Sequence, residues 1–277
     1  MSRRRHHRIA WAVTLLAAPL TTAWCQVGDE PGLPRWEAGL AAGAGRVSDY
    51  PGADQSQVRG LVAPVFIYRG PVLRVDQGGI RGRVLASPDW ELDLTATGAF
   101  NARNNEARRG MPDLDYLFGI GPQLVWKGAG RGVSLHLKAR AVMSTDFHRI
   151  DERGATFDPE LRWRIRLLAG SPTMLTLSLQ STWATRRLHR YFYEVEPADA
   201  ATERPAYTAR AGYLGSELAA TVSRRHGRSL SWFASARLMS LHGSANAASP
   251  LLRDKVNVGV GAGVVWTPWQ SSAREGQ

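Results

Sequence analysis

Cysteine is almost missing from this sequence: Cys25 is the one thiol among 277 residues. A disulfide scaffold and a Cys-ligated metal are thereby excluded. Lysine is nearly as scarce, with Lys127, Lys138 and Lys255 alone, so the formal charge of +11 is carried by arginine. Long apolar runs are also absent. No segment beyond the N-terminus approaches the ~20 uninterrupted apolar residues of a transmembrane helix. The histidines after residue 25 are His136, His148, His189, His226 and His242. None form a pair at i, i+2 or i, i+4, the spacings that place two ligands on one face of a strand or helix. No G-x-S-x-G element is present, so a hydrolase elbow has no support. Ser144 and His148 could enter a lipid-hydrolysing site only if the fold supplied the geometry. Accordingly no catalytic residue, cofactor or metal is expected.

What is present begins with an export signal. Ser2 to Arg8 is basic, Ile9 to Leu20 is apolar over twelve residues, and small residues follow at Ala23 and Cys25. That order is the layout of a cleaved signal peptide, here residues 1–25, with the cut after Ala23 or Cys25. Removing four arginines and no acids leaves +11 − 4 = +7. Export takes nucleic acid out of reach, which leaves anionic lipid, acidic solutes or envelope proteins as partners for the basic chain.

Past the signal, strict alternation of apolar and polar residues recurs in segments of roughly ten, the period of a strand with one dry face. Trp90, Leu92, Leu94 and Ala96 oppose Glu91, Asp93, Thr95 and Thr97; Leu161, Trp163, Ile165 and Leu167 oppose Glu160, Arg162, Arg164 and Arg166. Tight links at 69–71, 87–89, 127–130, 170–172 and 226–228 alternate with long polar links at 46–59, 101–113, 145–157, 185–206 and 242–254. A soluble sandwich has no reason to keep that rhythm. A transmembrane barrel with short turns on one side and long loops on the other does. The pattern predicts an all-β, antiparallel transmembrane barrel over residues 26–277, ending in a short polar tail at 270–277. About twelve strands are expected if 71–86 folds as a hairpin turning at 77–79, and ten otherwise. Trp36, Trp90 and Trp232 open upward strands while Trp126 and Trp266 close downward ones, which predicts an aromatic girdle at the periplasmic membrane edge. Phe100, Trp183 and Tyr207 are expected near the opposite edge.

The informative polar cluster is Lys138, Arg140, Arg162, Arg164 and Arg166, on one inner wall of two consecutive strands. Bracing by inward Glu37, Glu91 or Asp93 is one reading. A constriction that favours anions is the other. Narrow barrels fill their interiors with side chains, which tilts the balance towards bracing. Arg224, Arg225 and Arg228 sit on a predicted periplasmic turn, where they would anchor at lipid headgroups or meet an acidic partner.

Four short stretches add a resemblance. Tyr50-Pro51-Gly52-Ala53, Ala63 to Gly70 (APVFIYRG), Arg204-Pro205-Ala206-Tyr207 and Ala248-Ser249-Pro250-Leu251 resemble, in order, the MltA-interacting protein (MipA/OmpV) family. The resemblance spans about residues 36–269. It implies a Gram-negative outer-membrane barrel without enzymatic activity. The family includes a scaffold that contacts a lytic transglycosylase and a murein synthase, and other members are described as porin-like or as surface proteins. The departures are a chain that ends in a polar tail after Trp269, where a terminal aromatic is common, and an Arg-rich lumen. The expected partners are thus outer-membrane lipid and a periplasmic murein hydrolase or synthase, with the oligomeric state open. A small-solute, anion-leaning channel is the alternative, and a lipid-hydrolysing barrel comes third.

Overall fold

The computed structural model describes residues 33–70, 73–76, 79–99, 101–128, 132–167 and 170–273. The predicted signal peptide lies outside them. Twelve strands follow one another: β1 (Trp36–Ser48), β2 (Ser56–Arg69), β3 (Leu73–Asp76), β4 (Gly79–Ala86), β5 (Trp90–Ala99), β6 (Tyr116–Lys127), β7 (Val133–Thr145), β8 (Ile150–Arg166), β9 (Thr173–Ala184), β10 (Gly212–His226), β11 (Leu230–Ser240) and β12 (Val256–Gln270). Each pairs antiparallel with its neighbour in sequence, and β1 pairs with β12 as well as with β2, so the sheet returns on itself. Pairing of β1 with β12 covers the edges of the first and last strands, which would otherwise invite association.

Alternation fixes the register. Trp90 pairs with Trp126, Leu92 with Leu124 and Ala96 with Ile120 on the outer face, while Asp93 meets Gln123 and Thr95 meets Gly121 on the inner one. Slipping by one residue would turn every inward carboxylate outwards. The outer face carries exposed Leu40, Val62, Phe66, Leu94, Leu161, Leu179, Leu218, Leu238, Val258 and Val264 around the ring. A water-soluble protein does not expose a continuous apolar band of this kind, whereas a barrel in a bilayer requires one. No helix among the described residues is long and apolar enough to cross a membrane, so any crossing is made by strands.

Glycine is needed where strands crowd. A Cβ at Gly39 would lie 1.8 Å from the Trp266 carbonyl oxygen. The β1–β12 register shifts at this point, between Ala38 and Leu40. Only a residue without a side chain admits that approach.

The structure corrects the predicted links in three places. No long link spans 145–157: β7 ends at Thr145 and β8 starts at Ile150, joined by a turn in which Asp146 Oδ1 accepts the backbone N–H groups of His148 and Arg149 at 2.9 Å each. The first residues of β8 (Ile150-Asp151-Glu152-Arg153-Gly154-Ala155) lack alternation because that half of the hairpin packs on a helix instead of standing between lipid and lumen. That helix, α1 (Arg186–Tyr193), lies inside the link 185–206. Gly154, at φ +109°, seats it, since a Cβ there would meet Thr185 Oγ1 at 2.1 Å. The strand expected from residue 207 begins at Gly212, and Tyr207 belongs to the loops.

Residues 73–86 form the hairpin. In it Asp76 pairs with Gly79. The hairpin is short: β2 pairs with β3 only at Tyr68↔Val75 and Arg69↔Arg74.

Candidate functional site: a braced lumen under a packed cap

The inner wall of β7, β8 and β9 carries the basic cluster, and its carboxylate partners come from the same wall. Lys138 Nζ donates to Glu160 and, at 2.8 Å, to Gln180 Oε1. Arg162 grips the other oxygen of Glu160, with Nε at 2.9 Å and Nη2 at 2.8 Å. Arg140 Nη1 reaches Asp158 Oδ2 at 3.1 Å, and the hydroxyls of Thr156 and Thr182 donate to the same carboxylate at 2.8 and 2.7 Å. Lys138, Asp158 and Glu160 are all buried. Neither ion could stay buried alone, so each pair holds its two strands in one register. Arg164 and Arg166 continue down the same face of β8; Arg166 Nη1 contacts the Ser171 carbonyl at 3.4 Å. The basic cluster is therefore divided, with Lys138, Arg140 and Arg162 knitted into ion pairs and Arg164 and Arg166 nearer the lower mouth.

The bracing partners expected from the sequence are placed elsewhere. Glu37 takes Arg69 at 2.7 Å and Arg225 at 3.0 Å, and accepts the Thr267 hydroxyl at 2.7 Å. Glu91 takes Arg83 and Lys127 at 3.0 Å each. Asp93 is buried in register with Arg83 and Gln123. The missed signal was within one strand: inward positions 158, 160, 162, 164 and 166 read Asp, Glu, Arg, Arg, Arg, so acids and bases at i, i+2 share a face.

The opposite arc of the lumen is apolar only along its middle, between Glu37 and Thr267 below and Arg59, Arg237 and Asn257 above. Ala41, Gly43, Leu61, Val65, Phe233, Gly259, Gly261, Gly263 and Val265 occupy inward positions on β11, β12, β1 and β2. The glycines make room there. A Cβ at Gly263 would strike the Phe233 ring at 2.7 Å, and one at Gly259 would meet Arg237 Cγ at 2.9 Å. The interior thus has a side charged throughout and a side that is apolar at mid-height.

Above the lumen, the long links and α1 pack into one buried cluster that includes Tyr50, Leu188, Phe192, Tyr193, Leu241 and Leu251. Polar ties lock it. Tyr193 Oη donates to Pro51 O, Tyr50 Oη to Leu251 O, and Ser249 Oγ to Tyr193 O, each at 2.8 Å. Arg108 donates to Phe192 O at 3.1 Å, and Arg204 to Ala107 O at 3.0 Å and Arg109 O at 2.9 Å. Burial pushes the Tyr50 and Tyr191 phenols up to about 12, which keeps both neutral. Burial lowers His189, whose Nε2–H donates to Gly212 O at 3.2 Å. These loops form a plug with its own hydrophobic core.

Trp36, Trp90, Trp126, Trp232 and Trp266 all face outwards at the end of the barrel that carries the described termini, and Trp163 joins them. At the other end Phe157, Trp183 and Tyr213 form an outward file, with centroids 6.4 and 5.6 Å apart. Phe100 lies outside the described residues. The Ser144–His148 pair does not assemble: Ser144 Oγ accepts from Arg153 Nε at 2.7 Å, while the His148 ring contacts the Asp146 carbonyl on the exposed turn. Among the described residues, no group of three or more His, Cys, Asp or Glu side chains could hold a metal.

A family model described as "MltA-interacting protein MipA" matches residues 40–268. The chain belongs to the MipA family. With its strand ring and lipid-facing band, it is an outer-membrane β-barrel of this family. No curated protein sequence matches it. Solved structures with similarity include the NanC porin, at 8% identity over 83% of this chain and 100% of that one, with a TM-score of 0.42. The CymD monoaromatic hydrocarbon channel is similar at 9% identity over 85% of this chain and 67% of that one, with a TM-score of 0.27.

Proposed function

We propose that this MipA-family barrel is a closed, non-enzymatic membrane scaffold whose periplasmic rim docks a murein hydrolase or synthase. The observation that carries the closed part is the plug: four links and α1 share one buried core across the loop end, above a lumen crossed by ion pairs. A steady aqueous pore would need both to be out of the way.

In this reading the terminus-bearing end faces the periplasm, and the ring of Trp36, Trp90, Trp126, Trp232 and Trp266 marks the lipid boundary there. Ten long strands cross the bilayer, and the β3–β4 hairpin enters it only part-way. The docking surface is the β10–β11 turn with its neighbour, the end of β12. Arg224, His226 and Arg228 are exposed there, Gln270 Nε2 donates to Arg228 O at 2.7 Å, and Trp269 is exposed at the same end of β12, while Arg225 is committed to Glu37. Exposed arginines beside an aromatic suit an acidic protein surface. The partner class comes from the family's name, which speaks of interaction with MltA. The test is capture of purified lytic transglycosylase and murein synthase by the folded barrel. Binding that weakens about tenfold in Arg224→Glu/Arg228→Glu supports the reading; no binding to either enzyme ends it.

The second reading is an anion-leaning pore. It is favoured by Arg164 and Arg166 on the inner face of β8 near the lower mouth, and it requires the plug to move.

A further inference from the structure

One ion pair of the lumen differs from the braces. Arg237 on β11 and Glu217 on β10 approach only to 3.9 Å, beyond hydrogen-bond range. Glu37, Glu91, Asp158 and Glu160 each hold a cation at 3.1 Å or closer. Among the described residues the Arg237 side chain donates no hydrogen bond and Glu217 accepts none. At 19% and 23% exposed, both reach open space. A glycine accounts for the separation. Arg237 is in register with Gly259 on β12, where a Cβ would meet its Cγ at 2.9 Å and its Cδ at 3.1 Å. The arginine stem thus lies over β12, on the side away from β10.

Both charges line a cavity of about 240 Å³ beneath the plug. Tyr50, Pro51 and Phe192 roof it, and Leu117 and Met239 stand at its sides. One inward step lower, Gly261 has no side chain, and Leu61 and Ser235 are half-buried on the lumen face. The volume falls just below the roughly 300 Å³ at which sites for drug-sized ligands begin. A molecule of amino-acid size would fill it.

The charges on the lining balance, with Arg59 and Arg237 against Asp49 and Glu217. Two of them are committed to the protein: Arg59 Nη2 donates to Asn101 O at 2.7 Å, and Asp49 Oδ2 accepts from Asn105 Nδ2 at 2.8 Å. Arg237 and Glu217 keep their hydrogen-bonding capacity for an occupant. A lone anion there would face Glu217, and a lone cation would face Arg237. A ligand carrying both charges satisfies both. Its carboxylate suits the planar fork of the guanidinium, and its ammonium donates to the carboxylate. In an α-amino acid a single carbon separates those two groups, which matches a protein pair this close.

We infer that the cavity under the plug is a binding site for small apolar α-amino acids. Arg237 takes the carboxylate, Glu217 takes the ammonium, and the side chain packs on Leu117, Met239 and Phe192. A dead-end site beneath a shut plug is compatible with a barrel that passes no current. It needs the plug closed but no murein enzyme. Failed enzyme capture therefore leaves it standing, and an empty site leaves the scaffold reading standing.

The test uses the full mature chain, refolded and checked by heat-modifiable migration, with leucine binding measured by equilibrium dialysis. Isocaproate, which lacks the ammonium, and isoamylamine, which lacks the carboxylate, should each bind weaker than leucine by about tenfold or more. Arg237→Gln and Glu217→Gln should each weaken leucine by a similar factor, while Ala220→Trp on the outer face should leave binding unchanged. Should the polar variants fail to fold, Met239→Trp fills the space from β11 and should abolish binding. Because Phe192 roofs the site, leucine at about ten times its Kd should slow hydrogen exchange at Phe192 and Tyr193 about tenfold. No leucine binding at millimolar concentration would overturn the proposal. So would isocaproate binding as tightly as leucine, or leucine binding unmoved in the folded polar or filling variants. Binding that leaves exchange at Phe192 unchanged would place the ligand elsewhere and overturn it as well.

Discussion

Glu37 on β1 and Arg225 on β10 meet inside the barrel at 3.0 Å, 188 positions apart in sequence and three strand steps apart around the ring. Glu37 is only 1% exposed, and it also holds Arg69 and the Thr267 hydroxyl. One carboxylate therefore ties β1, β2, β10 and β12 together at the lower mouth. Replacing it leaves two guanidinium groups facing each other without an acid. Glu37→Ala is expected to destabilise the folded barrel by about 3–5 kcal/mol, read as a lower urea midpoint for loss of heat-modifiable migration. A shift below about 0.5 kcal/mol would mean that the arginines find water instead.

The Lys138–Glu160 pair supports a sharper test, because a buried ion pair costs more to halve than to remove. Lys138→Met alone should cost about 1–3 kcal/mol, because Glu160 loses one donor and keeps Arg162. Glu160→Gln alone should cost about 3–5 kcal/mol, since it removes the carboxylate that both Lys138 and Arg162 hold, and adding Lys138→Met should recover at least half of that loss. Additive losses in the two single variants would show that the charges act independently.

The plug should loosen in mild acid. His189 is fully buried in α1, and burial lowers its protonation below the ordinary histidine value of 6.5. The sign follows directly. Above pH 6.5 the ring is neutral whether the plug is packed or open, so it makes no difference there. As pH falls through that value the open state takes up the proton first, and packing loses stability until the buried ring titrates too. Hydrogen exchange at Leu188 to Tyr193 should be faster at pH 5 than at pH 7. His189→Gln, which keeps a donor for Gly212 O and cannot titrate, should remove the difference. Faster exchange in acid that persists in His189→Gln would place the cause elsewhere.

Packing holds the plug as much as its polar ties do. Phe192→Ala removes a ring that stacks with Tyr50 at 6.5 Å and meets Tyr193 at a tilt, 5.8 Å away. It should cost the plug about 3 kcal/mol and raise protease cleavage within 185–211 while the strands stay intact. Tyr193→Phe, losing only the bond to Pro51 O, should cost about 1 kcal/mol.

The strands were legible in the sequence wherever lipid touches one face and the lumen the other. Trp90 to Thr97 and Leu161 to Leu167 show that two-sided environment as strict alternation. It fails where the environment changes. The upper part of β8 pairs beyond the lipid and packs on α1, so Ile150 to Ala155 reads as a loop. α1 itself left a weaker trace, Leu188 and His189 followed by Phe192 and Tyr193, which is helical spacing within a basic segment. The arginine cluster is visible, and the sequence points to bracing acids on distant strands, although Glu160 and Asp158 stand two and four residues before Arg162 on the same face. The plug could not be read at all. Its core is made from four links whose meeting depends on barrel closure, and no local period records that.

The central claim is that the barrel is closed to solutes along its axis, and single-channel recording in planar bilayers tests it most directly. Protein with verified heat-modifiable folding is predicted to give no steady openings, while deletion of 186–206, which removes α1 and part of the plug, should bring current. Steady openings of the intact chain, with an anion-selective reversal potential that Arg164→Glu/Arg166→Glu inverts, would contradict the closed scaffold and establish the pore.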